Sequence, residues 1–182
     1  MKVFMAGPRA ISILDMAVKR KLNNIYKNDY TVLVGDANGV DKAVQTYYND
    51  LGFRNVIVYA CDGKARNNVG NWSVRNVDVP VNIRGFDYYA AKDKEMSVDA
   101  DYGFMIWNGE SKGTLNNIIN LFNVDKESVV YLTKTKSFFR IDSGDNLKEL
   151  IAICGKETQS LFMKLYKVPA LPAFQQISLF NP

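Results

Sequence analysis

The chain contains no histidine. That removes the usual general base near neutral pH, a Ser-His-Asp triad and every His-containing metal site. Cysteine is scarce as well, with Cys61 and Cys154 alone and no Cys-x-x-Cys spacing for zinc. Each ends or sits within an apolar stretch, which fits small buried fillers better than a disulfide. No apolar run nears the roughly 20 residues that span a bilayer. The opening Met1-Lys2-Val3-Phe4-Met5-Ala6-Gly7-Pro8 is too short and too soon broken for a signal peptide, so a cytoplasmic protein is expected. Charge of either sign is moderate. A net +4 tolerates anionic ligands, but no dense Lys/Arg stripe marks a nucleic-acid surface. Chemistry is left to carboxylates, Lys, Arg, Tyr, Ser and backbone dipoles, with no metal and no cofactor expected beyond a nucleotide-type ligand.

What is present is a hydrophobic fraction of 47% in 182 residues, enough for one domain with a substantial core. Short apolar runs alternate with helix-period segments, the pattern of a mostly parallel sheet covered by helices. Strands are expected over 2–6, 30–34, 55–60, 102–107, 128–133 and 137–141. Helices are expected over 11–26, 40–51, 86–98, 114–122 and 146–154. Ile11, Leu14, Val18, Leu22 and Ile25 give the first helix its spacing. Residues 62–80, rich in Gly, Asn and Arg, read as a long surface loop, which is uncommon in a compact domain and often functional. The expected organisation is an α/β Rossmann-like domain over 1–154, a terminal helical segment over 155–167 and an extended tail over 168–182. Pro169 and Pro172 keep that tail from forming a regular helix.

Two glycine-bearing turns stand out. The first is Gly35-Asp36-Ala37-Asn38-Gly39-Val40-Asp41, following Val32, Leu33 and Val34. The second is Asn108-Gly109-Glu110-Ser111-Lys112-Gly113-Thr114, following Phe104-Met105-Ile106-Trp107. Glycine permits tight turns and close approach of a ligand to the backbone. A helix starting there adds unpaired N–H groups and a positive dipole end, so the pair reads as a phosphate cradle. The blander reading makes Gly35 and Gly39 plain turn residues, Asp41 a cap and Thr114 an N-cap.

Together with Ala6-Gly7-Pro8-Arg9, these motifs resemble the SLOG superfamily over residues 1–151, in order. That group includes the DNA-processing protein DprA, the LOG phosphoribohydrolases and a YspA-like branch. The resemblance implies a Rossmann-like sheet whose strand ends hold a nucleotide or nucleotide-derived ligand, bound by a sensor or sequestering module. Gly7, Arg9, Gly35, Asp36, Gly39, Asn108, Gly109, Ser111, Lys112, Gly113 and Thr114 become its candidate ligand-binding residues. By analogy it also implies a homo-oligomer.

One departure matters. LOG enzymes carry glutamates shortly after their Gly-Thr, where this chain has Asn116-Asn117. Amides hydrogen-bond but cannot act as a carboxylate base. N-glycosidic cleavage of a nucleoside monophosphate therefore stands as an alternative that needs Asp41 or Asp93 as a substitute. The charged stretch Ala91-Lys92-Asp93-Lys94-Glu95-Met96 reads more simply as a solvated helix face. Arg66, Arg75 and Arg84, with Trp72, either clamp a phosphate and stack on a base or form an ordinary loop with one anchor.

Gln176-Ile177-Ser178-Leu179-Phe180 resembles the pentapeptide by which bacterial polymerases and repair proteins dock on the DNA sliding clamp. It implies a third role, as a DNA-metabolism accessory protein with the clamp as partner. The competing reading packs Ile177, Leu179 and Phe180 back onto the domain.

Overall fold

In β1 (Lys2–Ala6), Val3 and Met5 pack against one helical layer and Phe4 and Ala6 against the other. A strand buried on both faces reads as a continuous apolar run, which is why β1 shows no polar alternation. The same division holds in β2 (Thr31–Gly35), where Val32 and Val34 oppose Leu33. It recurs in the parallel strand Tyr102–Trp107, where Phe104 and Ile106 oppose Met105 and Trp107. The computed structural model describes residues 1–61 and 63–166.

Chain order continues with α1 (Met16–Lys27) before β2, then α2 (Val40–Asp50), β3 (Val56–Cys61), β4 (Ser73–Val77) and α3 (Phe86–Asp99). After these come β5 (Tyr102–Trp107), α4 (Lys112–Asn123), β6 (Ser128–Leu132), β7 (Ser137–Ile141), α5 (Gly144–Ala152) and α6 (Lys156–Leu165). The strands form one seven-stranded sheet in the order β4-β3-β2-β1-β5-β6-β7, parallel except for the β6–β7 pair. Helices α1 and α2 contribute Val18, Leu22, Val44 and Tyr48 to one core layer. Helices α3 to α6 contribute Met96, Ile118, Leu150 and Phe162 to the other. This is the expected α/β Rossmann-like architecture. No helix among the described residues is long and apolar enough to cross a membrane.

Three local expectations need correction. Helix α1 begins at Met16 rather than Ile11. Asp15 is extended at its N-cap position, and its carboxylate accepts a 2.6 Å hydrogen bond from the Tyr131 hydroxyl, so residues 8–15 run as a loop. The expected loop 62–80 contains β4, an edge strand in parallel register with β3. Its Ser-Val-Arg-Asn-Val sequence has little apolar signal because four of its five residues are exposed. Ser111, rather than Thr114, caps α4: its hydroxyl accepts from the Thr114 amide at 3.4 Å. Cys61 and Cys154 are partly buried and form no disulfide, their thiols donating to the Tyr88 and Leu150 carbonyls at 3.4 and 3.3 Å. The tail 168–182, including Gln176 to Phe180, lies outside the described residues.

Candidate functional site

In the strand order, β1 connects toward β2 on one side while β5 connects toward β6 on the other. Chains leaving these neighbours diverge, and open α/β sheets hold ligands in the crevice that this leaves. A cleft of about 470 Å³ lies there, walled by the turn after β1, the start of α4 and one face of α3.

The turn after β1 is built by exclusion. A side chain at Gly7 would press within 2.6 Å of both the Ile106 carbonyl and the Val40 side chain. Pro8 is buried, and its carbonyl accepts from the Val40 amide at 3.2 Å, tying this turn to the start of α2. Arg9 projects outward, its guanidinium 4.9 Å from the centre of the Tyr89 ring. Gly39, at φ 81°, packs against the Arg9 backbone and leaves no room for a side chain. It borders a separate depression between Ser12, Lys42 and Tyr47 rather than the cleft.

The turn after β5 divides into a back and a front. The Asn108 side chain accepts from the amides of Glu110 and Ser111 at 3.1 and 2.9 Å. Gly109, at φ 78°, receives on its carbonyl the Thr158 hydroxyl of α6 at 2.7 Å. Neither residue reaches the cleft. Ser111, Lys112, Gly113 and Thr114 do, at the N-terminus of α4. The Ser111 amide is taken by Asn108 and the Thr114 amide by the Ser111 hydroxyl, so the first-turn amides left without a carbonyl partner inside the helix are those of Lys112 and Gly113. The Cβ position of Gly113 opens to empty space, and the Lys112 ammonium rests 4.0 Å over the Phe86 ring.

The acidic candidates separate in role. Asp36 is 3% exposed and bound bidentately by Arg66, at 2.9 Å through Nε and 2.6 Å through Nη2. Burial works to raise its pKa, but the Arg66 hydrogen bonds outweigh this and hold it below the ordinary carboxylate range. Asp36 therefore anchors the loop after β3. Asn67 reinforces it by donating to the Asp36 carbonyl at 2.8 Å, and Gln45 by accepting from the Val69 amide at 3.0 Å. Asp41 lines the cleft, with one carboxylate oxygen accepting from the Ala37 amide at 3.1 Å. Burial pushes its carboxyl up to about 7; Asp93 and Asp36 add to that, while Lys92 and the Ala37 amide oppose it.

Asp93 also lines the cleft, so the fold brings Asp41 and Asp93 to one place. Between them stands Lys92, whose ammonium is 2.8 Å from Asp93 and 3.9 Å from Asp36. Burial works against this ammonium, but Asp93, Asp41 and Asp36 outweigh it and raise its pKa. The reading of residues 91–96 as a solvated face is corrected here, because Lys92 is 4% exposed. Gly35 has no side chain because the Asp41 carboxylate and the Lys92 ammonium fill that space.

The arginine group splits up. Arg66 lines the cleft, its guanidinium 4.8 Å from the Tyr89 ring, so Arg9 and Arg66 both stack on one tyrosine. Arg75 lies in β4 and pairs with Glu95 and Asp99, away from the cleft. Trp72 is an anchor, buried with its indole N–H donating to the Phe53 carbonyl at 2.8 Å. Arg84 is exposed and outside the cleft lining.

Residues not singled out from the sequence complete the site: Lys92, Tyr89 and Phe86 from α3. Tyr89, Lys92 and Met96 lie three and four residues apart, the spacing of one helix face, and that period was the available signal. Asn117, noted only as a missing carboxylate, lines the cleft at 3% exposure, and its side-chain oxygen has no hydrogen-bond partner among the described residues. No cluster of potential metal ligands occurs among the described residues.

No family model and no curated protein matches this chain. Among solved structures it is similar to DNA processing protein A from Helicobacter pylori, in a structure devoted to that protein's single-stranded DNA binding mode. The two share 14% identity at a TM-score of 0.57, over 91% of this chain and 80% of the other. At that identity the likeness establishes the fold: the chain has a DprA-like, Rossmann-like α/β architecture with its cleft at the strand-order switch.

Proposed function

We propose that this cleft binds a nucleotide or nucleotide-derived small molecule, as a sensor or sequestering module of the YspA-like type. One observation carries the reading. The N-terminus of α4 and the two cations Arg9 and Lys112 converge on one crevice. Among the described residues neither cation forms an ion pair, whereas Arg66 and Lys92 are already paired with carboxylates. The Lys112 and Gly113 amides of the first turn, a dipole end and unspent positive charge suit a phosphate. Native mass spectrometry of the purified protein tests this directly. A co-purifying phosphorylated compound is expected, and a bare chain that also fails to bind added nucleotides overturns the reading.

A second reading, hydrolysis of the N-glycosidic bond of a nucleoside monophosphate, is favoured by the meeting of Asp41 and Asp93 in the cleft. Water would add to the sugar carbon as the base departs with a proton, and one carboxylate would have to take the proton from that water. The fold likeness to a single-stranded DNA-binding protein supports a DNA-related partner as a third reading, which an oligonucleotide titration decides.

A further inference from the structure

We infer that Asn117 contacts the ligand directly and requires it to carry an uncharged hydrogen-bonding group about one helical turn from its phosphate. The inference deepens the nucleotide-binding reading and rests on it. Asn117 follows Gly113 by four residues and Thr114 by three, so it shares a helix face with the amides that open on the cleft. Four residues advance about 6 Å along the axis, comparable to the distance from a phosphate to the hydroxyls of the sugar bearing it.

The neighbourhood leaves one atom of Asn117 unsatisfied. The residue is 3% exposed, and its side-chain oxygen lacks a partner among the described residues. A buried polar atom left unsatisfied costs stability, and such atoms are rare in native proteins unless a ligand or water completes them. The same cleft already carries the charged groups Asp41, Lys92 and Asp93. A neutral carboxamide among them reads donors and acceptors without adding charge. Leucine would fill nearly the same shape with no polar atom to satisfy, so the presence of asparagine is explained by what it binds rather than by packing.

The test is Asn117→Leu in the full chain, read by calorimetry with 5′-AMP and with inorganic phosphate, and by thermal melting without ligand. Phosphate engages only the α4 amides, Arg9 and Lys112, so its affinity is expected to be unchanged. AMP affinity is expected to fall about tenfold or more, because a site that hydrogen-bonds its ligand loses strongly when one partner is removed. The unliganded melting temperature is expected to hold or rise, since an unsatisfied buried group has been replaced by an apolar one. A structural asparagine would show the reverse, with a lower melting temperature and equal losses for both ligands. Unchanged AMP affinity in the variant, or AMP binding no tighter than phosphate to the unaltered protein, overturns the inference while leaving phosphate binding intact. An unaltered protein that binds neither compound overturns the nucleotide reading and this inference with it.

Discussion

Lys92 and Asp93, adjacent on α3, turn into the same cleft and hold each other at 2.8 Å, with Lys92 almost fully buried. A lysine so placed keeps its charge only because carboxylates surround it on three elements. Asp93 comes from α3, Asp41 from the first turn of α2, and Asp36 from the turn after β2. Counting Arg66, this floor is neutral when Asp41 is protonated and carries one negative charge when it is ionised.

Lys112→Ala is expected to weaken binding of phosphorylated ligands by about 1–3 kcal/mol, the scale of a lost charge-assisted contact. Gly113→Val should weaken it further by blocking backbone approach. Because nothing lies near the Gly113 Cβ position, the valine variant should keep most of its thermal stability. Calorimetry paired with thermal melting checks both halves, and full affinity in either variant removes that residue from the site.

Asp41→Asn should change the pH dependence of stability. The Asp41 carboxyl is raised from 3.8 to about 7 in the folded chain, so the native state binds its proton more tightly than the unfolded one. Its influence is absent below the ordinary carboxylate pKa, and stability is lost as pH rises through that window toward 7. Asparagine cannot ionise and removes this loss. The variant should therefore gain on the parent as melts move from pH 5 to pH 8, by roughly 2–4 °C for each kcal/mol recovered. Asp36 acts in the opposite sense, since its depressed pKa stabilises above the ordinary carboxylate range and that contribution fades as pH falls. Parallel melting curves for variant and parent across this range would show that Asp41 does not titrate there.

Arg66→Ala leaves the Asp36 carboxylate buried with only the more distant Lys92 ammonium to balance it. A loss of about 1–3 kcal/mol is expected, discounted from a fully buried pair because Arg66 is partly exposed. Arg66→Lys should recover only part of this, because a single ammonium cannot reproduce the bidentate fork. Hydrogen exchange should show the amides of Arg66 and Val69 losing protection before those of β1 do.

Release of free base from AMP is expected to be negligible, since Asn116 and Asn117 provide no carboxylate beside the α4 terminus. Chromatography decides. Base released in proportion to protein, and abolished by Asp93→Asn or Asp41→Asn, would establish the hydrolase reading in place of binding alone.

The division of labour between chain and fold shows in particular elements. Strand β5 and helix α3 were legible because each is governed by its own local pattern: a six-residue apolar run, and a segment between Gly85 and the polar Asp99-Ala100-Asp101 stretch. Both glycine turns were legible too, because Gly39 and Gly109 adopt positive φ, a demand local to the turn. Strand β4 was not. Its five residues are held by the open edge of β3 and by Trp72, and neither is a local property of Ser73–Val77. The turn after β5 shows the same limit at finer scale: the sequence grouped Asn108 through Thr114, while α6 holds the Gly109 carbonyl, Asn108 bonds back to the Glu110 and Ser111 amides, and four residues face the cleft.

By itself, the sequence determined the alternation of strands and helices, the absence of histidine chemistry and the two turns at the sheet's carboxyl edge. Hydrophobic period and glycine's backbone freedom act over a few residues, so these survive without a fold. Only the tertiary structure decided which charges meet. Lys92 lies 56 residues from Asp36 in the chain (92 − 36), yet their charged groups come within 3.9 Å because α3 packs across the end of β2. Charge pairing acts through space and depends on burial, so the same Lys-Asp dipeptide is a solvated surface feature on one helix face and the floor of a cleft on the other.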